Sequence, residues 1–379
     1  MRHTLKIVLL IGYCLLFGEG YIRFLQFLQS TNVVDINNVI LQTRVRGNRI
    51  ILPVNQMYIY ENNQIDKLDK KIIHTKNSLG FRGSEPPKNL GDYLSIITVG
   101  ASSTECFYLS DNKTWPYLLE QKLKQSYNNV WLNNAGLDGH STFGHIILLE
   151  DYLVKLKPKI ILFLIGSVDI GRDDLNKYDK NALRGVYMSW KDFLLRNSET
   201  LSVFANVLKS LDPRQKSLGH ENLNNTNKIE NLEISEEAQK AEILKHKSKY
   251  LEKYCERLLQ LIDISKRNGI EPILITHPAF FGSGIDASTG LNLETVKVSD
   301  SMNGKLFWEI LELYNDTVKE VGKSTNTFVI DLANKVPKSS LYFYDNFHFT
   351  NEGAEKVSGI LYAELKNHLD NKYGPFIIK

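Results

Sequence analysis

A parallel α/β sheet covered by helices on both faces is what this sequence predicts, and three observations predict it. Five short runs of apolar or β-branched residues recur from residue 95 onward. Between them lie longer segments whose apolar residues repeat at helical spacing. The chain has 379 residues, 42% of them hydrophobic, enough to bury such a sheet in one large domain with appendages. Each intervening helix carries the chain back across one face of the sheet, so consecutive strands run parallel.

One element precedes that pattern. Arg2 and Lys6 lead into Ile7–Gly18, which carries no charge, and apolar character resumes after Glu19 at Tyr21, Ile22, Phe24, Leu25, Phe27 and Leu28. The uncharged stretch alone suits the core of a signal peptide. Glu19 and Arg23 lie one helical turn apart and can pair, which makes Leu5–Leu28 long enough to cross roughly 30 Å of hydrocarbon. Residues 1–28 are therefore expected to form a transmembrane signal anchor, with a cleaved signal or an amphipathic helix as the alternatives. The basic leader favours a cytoplasmic N-terminus and an extracytoplasmic remainder, an asymmetry that Arg44, Arg46 and Arg49 weaken.

Residues 29–94 read as a membrane-proximal, β-rich segment. Val39–Leu41, Arg49–Pro53 and Met57–Tyr60 have strand character, and Asn77–Gly83 has the composition of an exposed turn. Residues 95–379 form the main domain. Its strands are expected at Ser95–Val99, Val130–Leu132, Lys159–Ile165, Pro272–Thr276 and Thr327–Leu332. Its helices are expected at Trp115–Ser126, Phe143–Leu156, Glu236–Asn268, Ser299–Val321 and Asn351–His368. The rhythm breaks at about residues 172–238, which read as an insertion. Helical pattern at Ala182–Leu195 and Leu201–Leu211 gives way there to the polar Asp212–Ile234, a solvated excursion or a gating lid.

A net charge of +3 gives no electrostatic case for nucleic acid. Cys14, Cys106 and Cys255 are scattered, without disulfide-framework or zinc-ligand spacing. Nothing calls for a metal or cofactor.

The chemistry-bearing residues fall at strand ends. Ile96–Val99 runs into Gly100-Ala101-Ser102-Ser103, the way a buried strand delivers a hydroxyl to the ligand side of a parallel sheet. Serine needs a base, and the base needs a group that fixes its tautomer. Asp345 and His348 are close enough in sequence for the carboxylate to reach Nδ1 while Nε2 faces the serine. An oxyanion needs N–H donors, and the Ser102 amide and Gly139, in the glycine-dense Asn134–Thr142 loop, are the candidates. Gly139 as a plain tight-turn glycine is the competing reading. His277 ends the fourth strand and His140 lies in the glycine loop; each is either a substrate contact or a structural histidine. Arg82 is an anion-binding candidate or a surface arginine. Ser103 and Cys106 are the neighbouring nucleophiles not chosen.

These blocks resemble the SGNH (GDSL-like) hydrolases over about residues 95–370. Gly100–Thr104 is similar to the first block, with Ala101 where many members carry aspartate. Asn134–Thr142 is similar to the second and Asp345–His348 to the fourth, and Trp115-Pro116 also stands where relatives have it. The third departs: Gly166-Ser167-Val168-Asp169 puts Val168 in the place of an asparagine whose amide donates to the oxyanion. Ser167 replacing that donor, two backbone donors sufficing, and lost activity are the three explanations.

The resemblance implies a three-layer α/β/α sandwich on a five-stranded, flavodoxin-like parallel sheet. It implies a serine esterase acting on O-acyl esters through an acyl-enzyme, with Ser102, Asp345 and His348 catalytic and Ser102 and Gly139 forming the oxyanion hole. Ser167, Asp169, His277 and His140 are the possible substrate contacts, although Asp169 also suits a turn or helix cap. Membrane-anchored relatives imply a surface carbohydrate ester, foremost an acetyl ester, as substrate. An O-acyltransferase using the same site and a non-catalytic glycan-binding scaffold are the rivals. The oligomeric state is not legible.

Overall fold

The computed structural model describes residues 2–30, 44–46, 50–173, 179, 198–201, 203, 204 and 230–378. The expected strand at Val39–Leu41 and the expected helix at Ala182–Leu195 lie outside these residues, as does most of the expected insertion.

Five parallel strands make the central sheet: β5 (Leu94–Gly100), β6 (Val130–Asn134), β7 (Ile160–Ile165), β8 (Glu271–Thr276) and β9 (Val329–Ile330). Their spatial order is β9-β8-β7-β5-β6. The chain therefore steps from β5 to one side, reaching β6, and then crosses to the other side, reaching β7. The loops leaving β5 and its neighbours diverge at this switch point and open a crevice beyond the strand ends.

The strands form because they are buried on both faces, and each reads as a continuous apolar run. Ile96, Leu132, Leu162, Leu164, Ile273 and Ile275 pack on one face, against α3 (Trp115–Leu123) and the C-terminal helix Asn351–Lys372. Ile97, Val99, Trp131, Ile161, Phe163 and Leu274 pack on the other. There the cover comes from helix Thr142–Leu148 and its continuation, Leu251–Arg267 and Gly304–Thr325. The three-layer α/β/α architecture expected from the sequence is the one observed.

Three elements differ from expectation. The segment expected as one helix over Glu236–Asn268 is two, Glu236–Lys249 and Leu251–Arg267, broken at Tyr250. The first half offers little more than Ile243 to the core while the second has a sharply apolar face, so only the second is drawn onto the sheet. The helix expected from Ser299 starts at Gly304, after Asn303 caps it by accepting the Leu306 N–H at 3.0 Å. The fifth strand is only two residues long, pairing with Leu274 and Ile275 of β8.

Before the sheet, β1 (Arg44–Arg46) pairs with β2 (Ile51–Pro53), and β3 (Gln56–Glu61) pairs antiparallel with β4 (Lys71–Lys76). The segment Asn77–Gly83, expected to be an exposed turn, is largely buried. Its Arg82 forms an antiparallel bridge with Asn134, exchanging N–H···O bonds of 2.9 and 2.8 Å at the end of β6. The hairpin is thereby fastened to the ligand side of the sheet. At the N-terminus, α1 (Arg2–Ser30) contains an apolar window, Lys6–Phe24, long enough to cross a membrane.

Candidate active site

Ser102 begins α2 (Ser102–Glu105), a single helical turn immediately after β5. Two glycines permit this tight delivery. A β-carbon on Gly100 would meet the Thr104 hydroxyl at 2.1 Å and the Leu164 carbonyl at 2.7 Å. One on Gly136 would lie 2.4 Å from the Glu105 amide nitrogen, so the loop after β6 can lie against α2 only as glycine. Ala101, the residue before the helix, offers no side-chain oxygen to the first-turn N–H groups.

The carbonyl end of α2 is fully occupied. Ser102 O accepts from the Cys106 N–H at 2.8 Å, and Ser103 O accepts from the Trp115 indole at 3.0 Å. Thr104 O accepts from the Asn134 amide at 2.7 Å. Glu105 O and Cys106 O accept from Arg82 Nη1 at 2.8 and 2.6 Å. Arg82 also holds the Leu109 carbonyl and pairs with Asp111 at 2.6 Å, and only 3% of it is exposed. It is therefore neither a surface arginine nor an anion-binding group; its guanidinium is consumed as a clamp on the serine turn. With its carbonyls satisfied from outside, one helical turn can persist at a length that is unstable in isolation.

The Glu105 side chain completes this support. Buried, it accepts from Lys76 Nζ at 2.6 Å on one oxygen and from the Asp138 backbone N–H at 2.7 Å on the other. Lys76 comes from β4, so hairpin, serine turn and glycine loop meet at one carboxylate. Burial pulls the Lys76 ammonium below its usual value against the opposing charge of Glu105.

His348 reaches this turn from the loop before the C-terminal helix, whose start is fixed by Thr350 accepting the Gly353 N–H at 3.0 Å. Its Nε2 lies 2.7 Å from Ser102 Oγ, and its Nδ1 lies 2.6 Å from Asp345 Oδ2. The other Asp345 oxygen accepts the backbone N–H groups of Phe347 at 3.1 Å and His348 at 2.9 Å. Burial works against the Asp345 charge, but the imidazole and these N–H donors outweigh it and hold the carboxyl below its ordinary range. Since a carboxylate only accepts, Nδ1 carries the proton and Nε2 is free to take the Ser102 hydroxyl proton. Tyr344 stacks on the His348 ring at 5.5 Å between centroids.

The glycine loop continues along β5 through Ala135 N–H to Thr98 O at 2.9 Å and Leu137 N–H to Gly100 O at 3.0 Å. This pairing carries it beside Ser102. Gly139 follows at φ +72°, exposed at the rim, with its carbonyl accepting from Arg172 at 3.1 Å. Asp138, next to it, feels both Glu105 and His348; burial and the Glu105 charge push its carboxyl up.

The remaining candidates separate. His277 Nδ1 lies 2.8 Å from the Pro278 carbonyl, which can only accept, so its Nε2 takes the Ser103 hydroxyl at 2.7 Å. Both ring nitrogens are thus engaged by the protein, and burial lowers the ring to about 4. His140 turns inward, with Nδ1 2.5 Å from where a Gly144 β-carbon would stand, and burial lowers it too. Asp169 is buried beneath the site, accepting the Thr142 N–H at 3.1 Å and hydroxyl at 2.5 Å and pairing with Arg257 at 3.3 Å. That is the capping role its sequence also suits, and it leaves Asp169 no open face for substrate. Ser167 and Val168 sit half-buried in the turn after β7.

A small cleft opens at Ser102 and is lined by Ser103, Cys106, Tyr108, Leu109, Tyr344, His348 and Phe349. Burial pushes the Cys106 thiol up to about 12, so it lines this space as a neutral group.

Residues 97–356 match the model of the GDSL-like lipase/acylhydrolase family. No sequence among the curated proteins matches the chain. Among solved structures it is similar to a putative lipolytic protein of the G-D-S-L family from Desulfitobacterium hafniense, at 12% identity and a TM-score of 0.38, covering 72% of this chain and 99% of that one. It is also similar to the acetylxylan esterase Axe2 from Geobacillus stearothermophilus, at 14% identity and a TM-score of 0.40, covering 71% and 93%. A third is the esterase EstA from a Pseudoalteromonas species, at 13% identity and a TM-score of 0.40, covering 73% and 99%.

Proposed function

The chain belongs to the GDSL-like lipase/acylhydrolase family, and from that premise we propose that it is a serine esterase that cleaves small O-acyl esters, foremost acetyl esters of carbohydrate, through an acyl-enzyme. The observation that carries this reading is the hydrogen-bonded series Ser102 Oγ, His348 Nε2, His348 Nδ1, Asp345 Oδ2, with distances of 2.7 and 2.6 Å.

Ser102 Oγ attacks the ester carbonyl carbon as its proton passes to His348 Nε2. The resulting imidazolium is stabilised by Asp345, and the oxyanion is held by the backbone N–H groups of Ser102 and Gly139. Collapse breaks the bond to the alcohol, which leaves with the His348 proton. Water then repeats the sequence on the acyl-enzyme: His348 takes its proton, the acid is released, and Ser102 recovers its hydrogen. Val168 donates nothing to the oxyanion, and the Ser103 hydroxyl is spent on His277. Two backbone donors are the hole this reading relies on.

The space beside Ser102 is closed in by Tyr108, Leu109, Tyr344 and Phe349, which favours a short acyl group over a fatty chain. With α1 as anchor, the domain would work on the outer side of the membrane, where surface glycan is the accessible ester.

The test is hydrolysis of para-nitrophenyl acetate, with fluorophosphonate labelling in parallel. Turnover and labelling that both vanish in Ser102→Ala support the reading. A wild-type protein that neither turns over the ester nor takes the label refutes it for small acyl esters.

A further inference from the structure

Helix α1 has two unlike parts. At Ile7, Val8, Leu9 and Leu10, and again at Tyr13, Leu16 and Phe17, large apolar side chains are 58–76% exposed and point in every direction around the axis. One turn further on, protein covers a single stripe. Gly18 and Glu19 are half-buried and Ile22 is 6% exposed, while Tyr21 and Phe24 remain open.

What meets Gly18 and Glu19 is a later described part of the insertion, Ser198–Leu201. Glu19 would be the one acidic group inside the apolar window, and it is not left bare. Its Oε1 accepts from Arg23 Nε at 2.8 Å, and its Oε2 accepts from Ser198 Oγ at 3.0 Å, the Thr200 N–H at 3.1 Å and Thr200 Oγ1 at 3.4 Å. Ser198 caps the helical turn that follows by accepting the Leu201 N–H at 3.2 Å. Gly18 makes the approach possible: a β-carbon there would lie 3.1 Å from Thr200 Cγ2 and 3.8 Å from Thr200 Cβ. From this turn Phe204 projects, 61% exposed.

A polar junction satisfied within an otherwise apolar helix, with apolar side chains of both partners open around it, is the arrangement that a hydrocarbon surrounding selects. We propose that the turn Ser198–Leu201 docks on the Gly18/Glu19 side of α1 and that Phe204 enters the same lipid bilayer, giving this part of the insertion a membrane contact of its own. Glu19 is then the hydrogen-bonding anchor that fixes the insertion to a helix that stays on the protein. The inference rests on α1 being a membrane helix.

Two measurements on the full chain in phosphatidylcholine vesicles test it. The first is oxidative cross-linking of the G18C/T200C double variant in a Cys14→Ser background. The 3.8 Å separation matches the Cβ···Cβ distance of about 3.8 Å in disulfides. Near-complete cross-linking is expected, slowed at least tenfold when Glu19→Leu removes the acceptor; absence of the cross-link overturns the docking. The second is quenching by brominated lipid of F204W and F17W, each against the four native tryptophans. Extra quenching is expected in both. Quenching in F17W alone overturns the proposal and leaves the anchor standing, whereas quenching in neither overturns the anchor as well.

Discussion

Asp345→Asn tests the assignment of His348 as the base most sharply, because the structure dictates what the amide must do. Asp345 Oδ1 accepts two backbone N–H groups, at 3.1 and 2.9 Å, and only the amide oxygen of asparagine can take over that role. The amide NH₂ is then turned toward His348 Nδ1 at the 2.6 Å contact, and two donors cannot face each other. The ring must shift its proton to Nε2, where it donates to Ser102 Oγ and can no longer accept. Flipping the amide would restore the tautomer but would leave two buried N–H groups without acceptors, at about 1–3 kcal/mol each. At about 1.4 kcal/mol per tenfold, that penalty of about 2–6 kcal/mol alone holds back the productive tautomer by about 30-fold to 10⁴-fold. Loss of the charge opposite the imidazolium adds to it, and a fall in kcat/KM of about 10⁴ is expected. The assay is ester hydrolysis, with a thermal melt to show that the variant is folded. A folded variant within about tenfold of wild type would refute the tautomer argument.

Four further outcomes follow from the surroundings of the serine turn. Arg82→Met takes the guanidinium away from the Glu105, Cys106 and Leu109 carbonyls and leaves Asp111 held by Thr75, and should cost about 1–3 kcal/mol in denaturant melts together with most of the activity. Gly136→Ala should lower kcat by at least about 10²-fold, since the new methyl stands 2.4 Å from backbone of α2. At Gly139, where nothing lies within 4 Å, alanine meets only the strain of φ +72°, about 1–2 kcal/mol, and the loss in kinetic assays should be smaller. His277 gives a pH signature. Its folded value is depressed to about 4 from an unfolded value of about 6.5, so the unfolded chain binds more protons between the two. Its contribution is thus fully present above about pH 6.5 and lost as pH falls toward 4, about 3 kcal/mol in all. Urea melts of His277→Gln across that window should fall less steeply with acid than those of wild type.

The sequence by itself determined the layers of the sheet domain and the residues that meet at its edge. Strands buried on both faces write themselves as short apolar runs and one-sided helices as a period of 3.6 residues, which are local signals. Asp345 and His348 are neighbours along the chain, and a serine that follows a buried strand can only emerge at the sheet's ligand side. Tertiary structure alone decided how that serine is held. Lys76, Arg82, Glu105 and Asn134 are charged or polar residues that read as surface or turn, yet each is buried against the serine turn. Their partners are far along the chain, and nothing periodic links them. The same is true of Ser103, whose hydroxyl goes to His277, 174 residues away, and of Gly136, whose need to be glycine comes from backbone on another element. Periodicity specifies which face of an element is covered, whereas the choice of hydrogen-bond partner depends on which strand ends the fold brings side by side.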